Sequence, residues 1–259
     1  MNILFIGDII GRPGRSAVKE VLKKLKKEYE IDFVIANGEN LASGIGMTLD
    51  TYEEMNKAGI DYFTSGNHIW KKRDFVPYLD EKKIKVIRPA NYPEGVQGRG
   101  YEDISIKGKK IRIINLLGRV FMRDLVESPF TVAEEIIKKA PRPDVIFIDF
   151  HAEATSEKNS LAYYLDGKVT AVVGTHTHVQ TSDNRILPKG TAYISDVGMV
   201  GPINSSIGDD LKHAIHSMLT GMPFVIEPAS GPKVFNSVLI KINSKNKSES
   251  ITHINKFVD

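Results

Sequence analysis

The chain has no cysteine among its 259 residues. Disulfides and thiolate metal sites are therefore excluded, and any metal ion must be held by carboxylate, amide or imidazole groups. No run approaches the roughly 20 apolar residues needed to span a bilayer. The N-terminus opens directly on a strand-like segment, Met1-Asn2-Ile3-Leu4-Phe5-Ile6, without the basic region that precedes a secretory core. The expectation is a cytoplasmic protein with no membrane partner. Repeats, low-complexity tracts and linkers are also lacking, so a single domain over residues 1–259 is the simplest organisation. Charge of one sign is not in large excess: 35 Lys+Arg against 32 Asp+Glu leave a formal charge of +3. With the two signs interspersed, no nucleic-acid surface is implied, and a small anionic substrate is compatible without being selected.

What is present is an alternation of strands and helices. Strands are expected at 1–6, 32–36, 62–65 and 85–87. Val18, Val21, Leu22 and Leu25 give a helix over about 15–29 one apolar face, after a Gly11-Arg12-Pro13-Gly14 turn. Thr48 is placed as the N-cap of a second helix and Gly59 as its C-cap. A further helix is expected near 75–81. The middle is richer in strands, with a hairpin of 101–106 and 110–117 around Lys107-Gly108-Lys109. Helices near 131–139 and 156–165 lead into strands at 145–150 and 169–174, and the last third adds strands at 191–195 and 233–242 around a helix at 209–220. The polar tail after Asn243 is expected to fray. This order fits an α/β fold of two mixed sheets packed face to face with helices outside, and the hairpin argues against a plain Rossmann sheet.

Five apolar runs each finish in an oxygen- or nitrogen-donor side chain: Asp8, then Glu39 and Asn40, then Asn67 and His68, then His151, then His176 and His178. The carboxyl ends of strands are where α/β proteins bind ligands. Taken singly, Asp8 reads as a turn residue and His151 as an ordinary polar residue. The Thr175-His176-Thr177-His178 segment is sharper, because alternation in an extended segment sets both imidazoles on one side. An Asp, a Glu, two Asn and three His suffice for two ions, and a sulfur-free N/O set suits iron, manganese or zinc. His213, His216 and His253 are assigned no site. Arg12 reads slightly better as a solvated residue than as a phosphate contact. The Arg119–Arg123 segment, with Phe121 and Met122, reads equally as a substrate-covering loop or as plain surface. Gly11-x-x-Gly14 lacks the Lys-Ser/Thr of a P-loop.

In order, these segments resemble the calcineurin-like metallophosphoesterases. Gly7-Asp8-Ile9-Ile10-Gly11, Asn37-Gly38-Glu39-Asn40, Gly66-Asn67-His68 and Gly174-Thr175-His176-Thr177-His178 resemble most closely the YmdB-like family. Two positions depart from the wider superfamily: Ile10 stands where a histidine is usual, and Glu39 where an aspartate bridges. The YmdB-like pattern carries the same changes, with Asn40 filling the gap. The resemblance implies the metallophosphoesterase four-layer α-β-β-α sandwich and 2′,3′-cyclic-nucleotide 2′-phosphodiesterase activity. It implies that Asp8, Glu39, Asn40 and His178 hold one ion, that Glu39 bridges, and that Asn67, His151 and His176 complete the second. It further implies that His68 is a general acid and that the metal is iron.

The leading expectation is attack of a metal-bridging hydroxide on phosphorus, with His68 protonating the leaving ribose 2′-oxygen and a 3′-nucleotide as product. The substrate alternatives are a phosphomonoester, a cyclic dinucleotide or an RNA end. A TIM-barrel amidohydrolase would carry its His-x-His pair on an early strand, whereas here the pair follows the fifth donor-ended strand. A non-catalytic nucleotide-binding regulator is a further alternative, disfavoured by the full ligand set. A homo-oligomer is compatible with the sequence, although no heptad pattern specifies one.

Overall fold

The computed structural model describes residues 1–223 and 227–259. The chain begins β1 (Asn2–Ile6), β2 (Asp8–Ile9), α1 (Gly11–Glu28), β3 (Phe33–Asn37), α2 (Leu49–Ala58) and β4 (Tyr62–Thr64). Two 3₁₀ segments follow, Asn67–Lys71 and Arg73–Asp80, then β5 (Tyr101–Ile106), β6 (Lys109–Leu117), α3 (Pro129–Lys138) and β7 (Val145–His151). The remainder is α4 (Thr155–Tyr164), β8 (Ala171–Thr175), β9 (Arg185–Ile186), β10 (Ala192–Ile194), β11 (Met199–Pro202), α5 (Leu211–Thr220), β12 (Lys233–Ile242) and β13 (Ser248–Val258).

These strands form two mixed sheets. The first has the order β2-β11-β12-β1-β3-β4, with β13 also paired to β12. The second has the order β5-β6-β7-β8-β10-β9. Three apolar layers hold them. One lies between the first sheet and α1 and α2, where Leu22, Met55, Phe63 and Phe235 are buried. The middle layer lies between the sheets, where Phe5 stacks on Phe147 at 5.5 Å. The third packs α3 and α4 on the second sheet through Ala133, Phe150 and Leu161. The result is the α-β-β-α sandwich expected from the alternation of elements.

Within each sheet, the strands that end in donors run parallel. β1, β3 and β4 are parallel neighbours, as are β6, β7 and β8. Their carboxyl ends therefore share one edge of the sandwich. The two sheets are tied at that edge by Asp149 of β7, whose carboxylate accepts from Thr64 Oγ1 of β4 at 2.5 Å and from Asn37 Nδ2 of β3 at 3.1 Å.

Several local expectations are borne out. Thr48 Oγ1 caps α2 by accepting from Thr51 N, and Gly59 closes the helix at φ +111°. Others are corrected. The Gly11–Gly14 segment is the first turn of α1 rather than a loop before it, with Pro13 where a missing N–H costs nothing. The hairpin turn contains only Lys107 and Gly108, both at positive φ, and Lys109 already belongs to β6. Residues 75–81 lie largely within a 3₁₀ segment, whose winding accommodates the internal Pro77. Lys85-Val86-Ile87 is no strand and makes only an isolated bridge from Val86 to Phe63. The tail does not fray. It forms β13, an 11-residue antiparallel partner of β12. Its few apolar residues divide between the two faces: Ile251 enters the inter-sheet layer, while Ile254 and Val258 enter the α1 side. That division hides the period-two signal. Among the described residues, no helix is long and apolar enough to cross a membrane.

Candidate metal centre

Asp8, Glu39, Asn40, His151, His176 and His178 meet with His68 at the shared strand edge, and Asn67 directly precedes His68 in the chain. Asp8 is the first residue of β2 and is fully buried. Its Oδ2 accepts from the His176 backbone N–H at 3.2 Å, while its Oδ1 has no hydrogen-bond partner. His178 Nε2 lies 3.8 Å from that orphaned oxygen and His151 Nδ1 lies 3.9 Å from it. Glu39, in the turn after β3, is 1 % exposed, and its Oε1 is 3.2 Å from both His151 Nε2 and His68 Nδ1. Asn40 Oδ1 accepts from His68 Nδ1 at 2.7 Å, and Asn40 Nδ2 is 3.3 Å from His178 Nε2. Asn67 opens the first 3₁₀ segment and presents a buried Oδ1 with no partner. A buried acceptor left unsatisfied costs its desolvation, about 1–3 kcal/mol. The orphaned Asp8 oxygen, within 4 Å of His151 and His178 nitrogens, calls for a cation.

The histidine tautomers point the same way. His151 Nδ1 is 2.9 Å from Thr175 Oγ1, and that hydroxyl donates its own proton to Asp149 Oδ1 at 2.7 Å. The Thr175 oxygen must therefore accept from His151 Nδ1–H, which leaves Nε2 as the free nitrogen. His178 Nδ1 donates to the Ile207 carbonyl at 2.6 Å, which likewise frees its Nε2. His176 is reversed: Nε2 faces Glu153 Oε2 at 3.1 Å, and Nδ1 faces His151 Nε2 at 3.1 Å. The His151 and His176 rings thus aim acceptor nitrogens at each other. Glu39, His151 and His176 together bring ligand atoms within 4.8 Å of one another. Such a triad of lone pairs is stable only around a positive charge, and outer partners that fix each imidazole are the usual support of a metal ligand.

Burial disfavours the His151 cation, but Glu39 and then Asp8 and Asp149 outweigh it and push its pKa up to about 9. Burial also raises the Glu39 carboxyl, yet His151 and His68 hold it well below the usual range. Burial, helped by the His151 charge, drops His176 to about 3. Asp149 rises to about 7 through burial, and Asp8 is raised by the same cause.

The His-x-His segment converges by a route the alternation argument did not contain. β8 ends at Thr175, and His176 and His178 have φ of +102° and +65°. The pair is held in a left-handed loop rather than an extended strand. Thr177 between them anchors it, with N–H and Oγ1 both donating to Asp196 Oδ2 at 3.0 and 2.8 Å. Asp196 is in turn paired with buried Lys158 at 2.8 Å. Strained backbone of this kind persists where surrounding contacts over-determine it.

A cleft of about 240 Å³ opens over the centre, with His68, His176 and His178 in its wall. Arg12 is exposed and does not line it. The Arg119–Arg123 loop also stays outside the cleft, with Phe121 84 % exposed. His213 and His216 are exposed on α5, and His253 lies on β13, all apart from the ligand group.

Residues 4–254 match the family of YmdB-like proteins. The chain belongs to that family. A 2′,3′-cyclic-nucleotide 2′-phosphodiesterase of Bacillus subtilis (strain 168) is 48 % identical over 248 residues, covering 95 % of this chain and 93 % of that protein. The crystal structure of a hypothetical protein from Thermus thermophilus superposes with a TM-score of 0.95 at 37 % identity, over 100 % of both chains. A structure described as a novel phosphatase from Mycoplasma pneumoniae superposes at 0.93 with 37 % identity, over 99 % of this chain and 93 % of that one.

In this YmdB-like protein, the support behind the candidate ligands is what sequence reasoning missed. Asn37, Asp149 and Thr175 stand directly behind His151, and Glu153 stands beside His176. Asp149 carried a detectable signal, since a carboxylate inside the apolar run Val145–Phe150 demands a buried partner. Asp209, on the far wall of the cleft, carried none.

Proposed function

We propose that this YmdB-like protein hydrolyses the phosphodiester of 2′,3′-cyclic nucleotides to 3′-nucleotides at a pair of transition-metal ions, iron foremost, with manganese and zinc as alternatives. The convergence of His151 Nε2, His176 Nδ1, Glu39 and the orphaned oxygen of Asp8 carries the reading. The strong likeness to the B. subtilis phosphodiesterase supports the substrate class. Asp8, Glu39, Asn40 and His178 would hold one ion; Asn67, His151 and His176 the other, with Glu39 shared. When bound, such ions lower the pKa of water toward neutrality and offset charge on phosphoryl oxygens.

The chain's own groups complete the chemistry. His68 is 25 % exposed and lines the cleft, with Nδ1 held by Asn40 and Glu39. Its Nε2 is therefore the nitrogen available to a substrate. A proton carried there can pass to the departing ribose 2′-oxygen, which is otherwise a poor leaving group. Positioned general acids contribute about 10²–10⁴-fold. The Glu39 and Asn40 contacts fix the ring plane before substrate arrives, and the Asp149–Thr175–His151 chain keeps a ligand nitrogen pointing inward.

The test is turnover and metal content of His68→Ala. Bound metal at the wild-type level with turnover on 2′,3′-cyclic nucleotides reduced at least about 100-fold is the expected result. Wild-type rates would remove His68 from the reaction. The description of the M. pneumoniae protein as a phosphatase favours a second reading, in which phosphomonoesters are the preferred substrates. A panel of cyclic nucleotides, phosphomonoesters and short RNAs separates the two.

A further inference from the structure

The wall of the cleft has an unusual charge for a site that takes phosphate. The chain carries 35 Lys and Arg residues, yet among the described residues none lines the cleft. Two carboxylates do so beyond Glu39: Glu153 and Asp209. Glu153 is half-exposed and reaches His176 Nε2 with Oε2 at 3.1 Å. Asp209 has no side-chain hydrogen bond among the described residues, and it lines the same cleft as His178 and His68. Both carboxylates thus line the cleft that holds the His-x-His pair, Glu153 in direct contact with His176.

We propose that Glu153 and Asp209 form an electrostatic filter that favours a singly charged phosphodiester over a doubly charged phosphomonoester and drives the product out. The inference rests on the phosphodiesterase reading above. In that reaction a water oxygen forms a new bond to phosphorus, the P–O2′ bond breaks, and the 2′-oxygen takes up a proton. The cyclic substrate carries one negative charge. The 3′-phosphate product carries about 1.5–2 at neutral pH, because its second pKa is near 6. Each wall carboxylate therefore repels product more than substrate. Interaction between like charges a few ångströms apart in a solvent-exposed cleft is worth roughly a factor of several and is screened by salt.

The conservative variants separate charge from geometry. Glu153→Gln keeps an oxygen to accept from His176 Nε2, and Asp209→Asn keeps size and shape. The metal-loaded wild type, both single variants and the double variant would be compared for kcat/KM on 2′,3′-cyclic AMP and on p-nitrophenyl phosphate. Inorganic phosphate binding would be measured by calorimetry at low salt and at about 0.5 M salt, with metal content determined alongside. The expected result is a diester-to-monoester preference reduced about fivefold by each change and about twenty-fold by both, with phosphate bound correspondingly tighter. The differences should shrink at high salt, which a purely structural role would not produce. A preference and a phosphate affinity within twofold of wild type in the metal-replete double variant would overturn the filter. Loss of metal from Glu153→Gln would also overturn it, by making Glu153 part of the metal centre. Absence of diester turnover in the wild type would overturn the underlying functional reading, whereas an unresponsive phosphate affinity would overturn the filter alone.

Discussion

Gly66→Ala is a one-carbon change that should dismantle the metal centre. Gly66 has φ −151°, which any residue can adopt, so the substitution imposes no backbone strain of its own. Its effect is steric. An added Cβ would press against Glu39 Oε2 and against both Cδ2 and Nε2 of His151, each well inside 3.0 Å. Real Cβ atoms essentially never come that close, so something must move. Glu39 and His151 have little room to do so: they are 1 % and 0 % exposed and are fixed by the His68 N–H and Thr175 Oγ1. Overpacking of this kind costs about 1–3 kcal/mol in stability, which corresponds to a melting shift of roughly 2–12 °C in a domain of this size. The larger consequence is at the centre, because the clash displaces the shared carboxylate and a ligand nitrogen together. Metal affinity should fall by at least about 100-fold, the upper end of what losing a supporting contact alone produces. The assay is thermal melting with and without added metal, paired with elemental analysis. Wild type should gain stability on loading and Gly66→Ala should not. A variant that retains full metal and turnover within twofold of wild type would refute the placement of Gly66 against the ligands.

Thr175→Val removes the acceptor for His151 Nδ1–H while keeping shape, so metal affinity should drop about 10–100-fold; unchanged affinity by competitive chelator titration would contradict the tautomer assignment. The metal-free protein should lose stability as pH rises. His151 has a folded pKa of about 9 against an ordinary value of 6.5, so its contribution is complete below 6.5 and lost as pH climbs through 9. The loss is about 3 kcal/mol. His176 titrates between about 3 and its ordinary 6.5 and Asp149 only up to about 7, so both changes are largely over about one unit higher and His151 dominates the upper part of the range, up to about 9. Melting scans across that range should show the decline without metal and a weaker one with it, and a flat metal-free profile would be inconsistent with a proton held at His151. Lys158→Met leaves Asp196 as a buried charge with only the Thr177 and Gly198 donors, and should destabilise by roughly 3 kcal/mol in denaturant unfolding.

The convergence of the candidate donors was legible because each follows an apolar strand run, and parallel neighbours bring such ends to one edge. Asp8, Glu39, His151 and His176 occupy that edge for this reason. Other features depend on pairings that only the folded chain defines. The left-handed conformation of His176 and His178 is sustained by Asp196 and Lys158, which are 18 or more residues away in sequence and carry no local pattern. Glu153 reads as an exposed turn residue until His176 is placed beside it. β13 escaped notice because Ile251 and Ile254 face opposite layers, so neither alternation nor a continuous apolar run marks the strand. Val86 shows the converse error: a short apolar run supplies a core side chain and a single bridge without becoming a strand.

The central claim is that side chains from Asp8 to His178 jointly cage two cations. Metal stoichiometry, measured by elemental analysis on metal-loaded wild type, His151→Ala and His178→Ala, tests it most directly. The account predicts two ions per chain in wild type and the loss of at least one in each variant. Fewer than one ion per wild-type chain under every loading condition, or full occupancy in both variants, would contradict it.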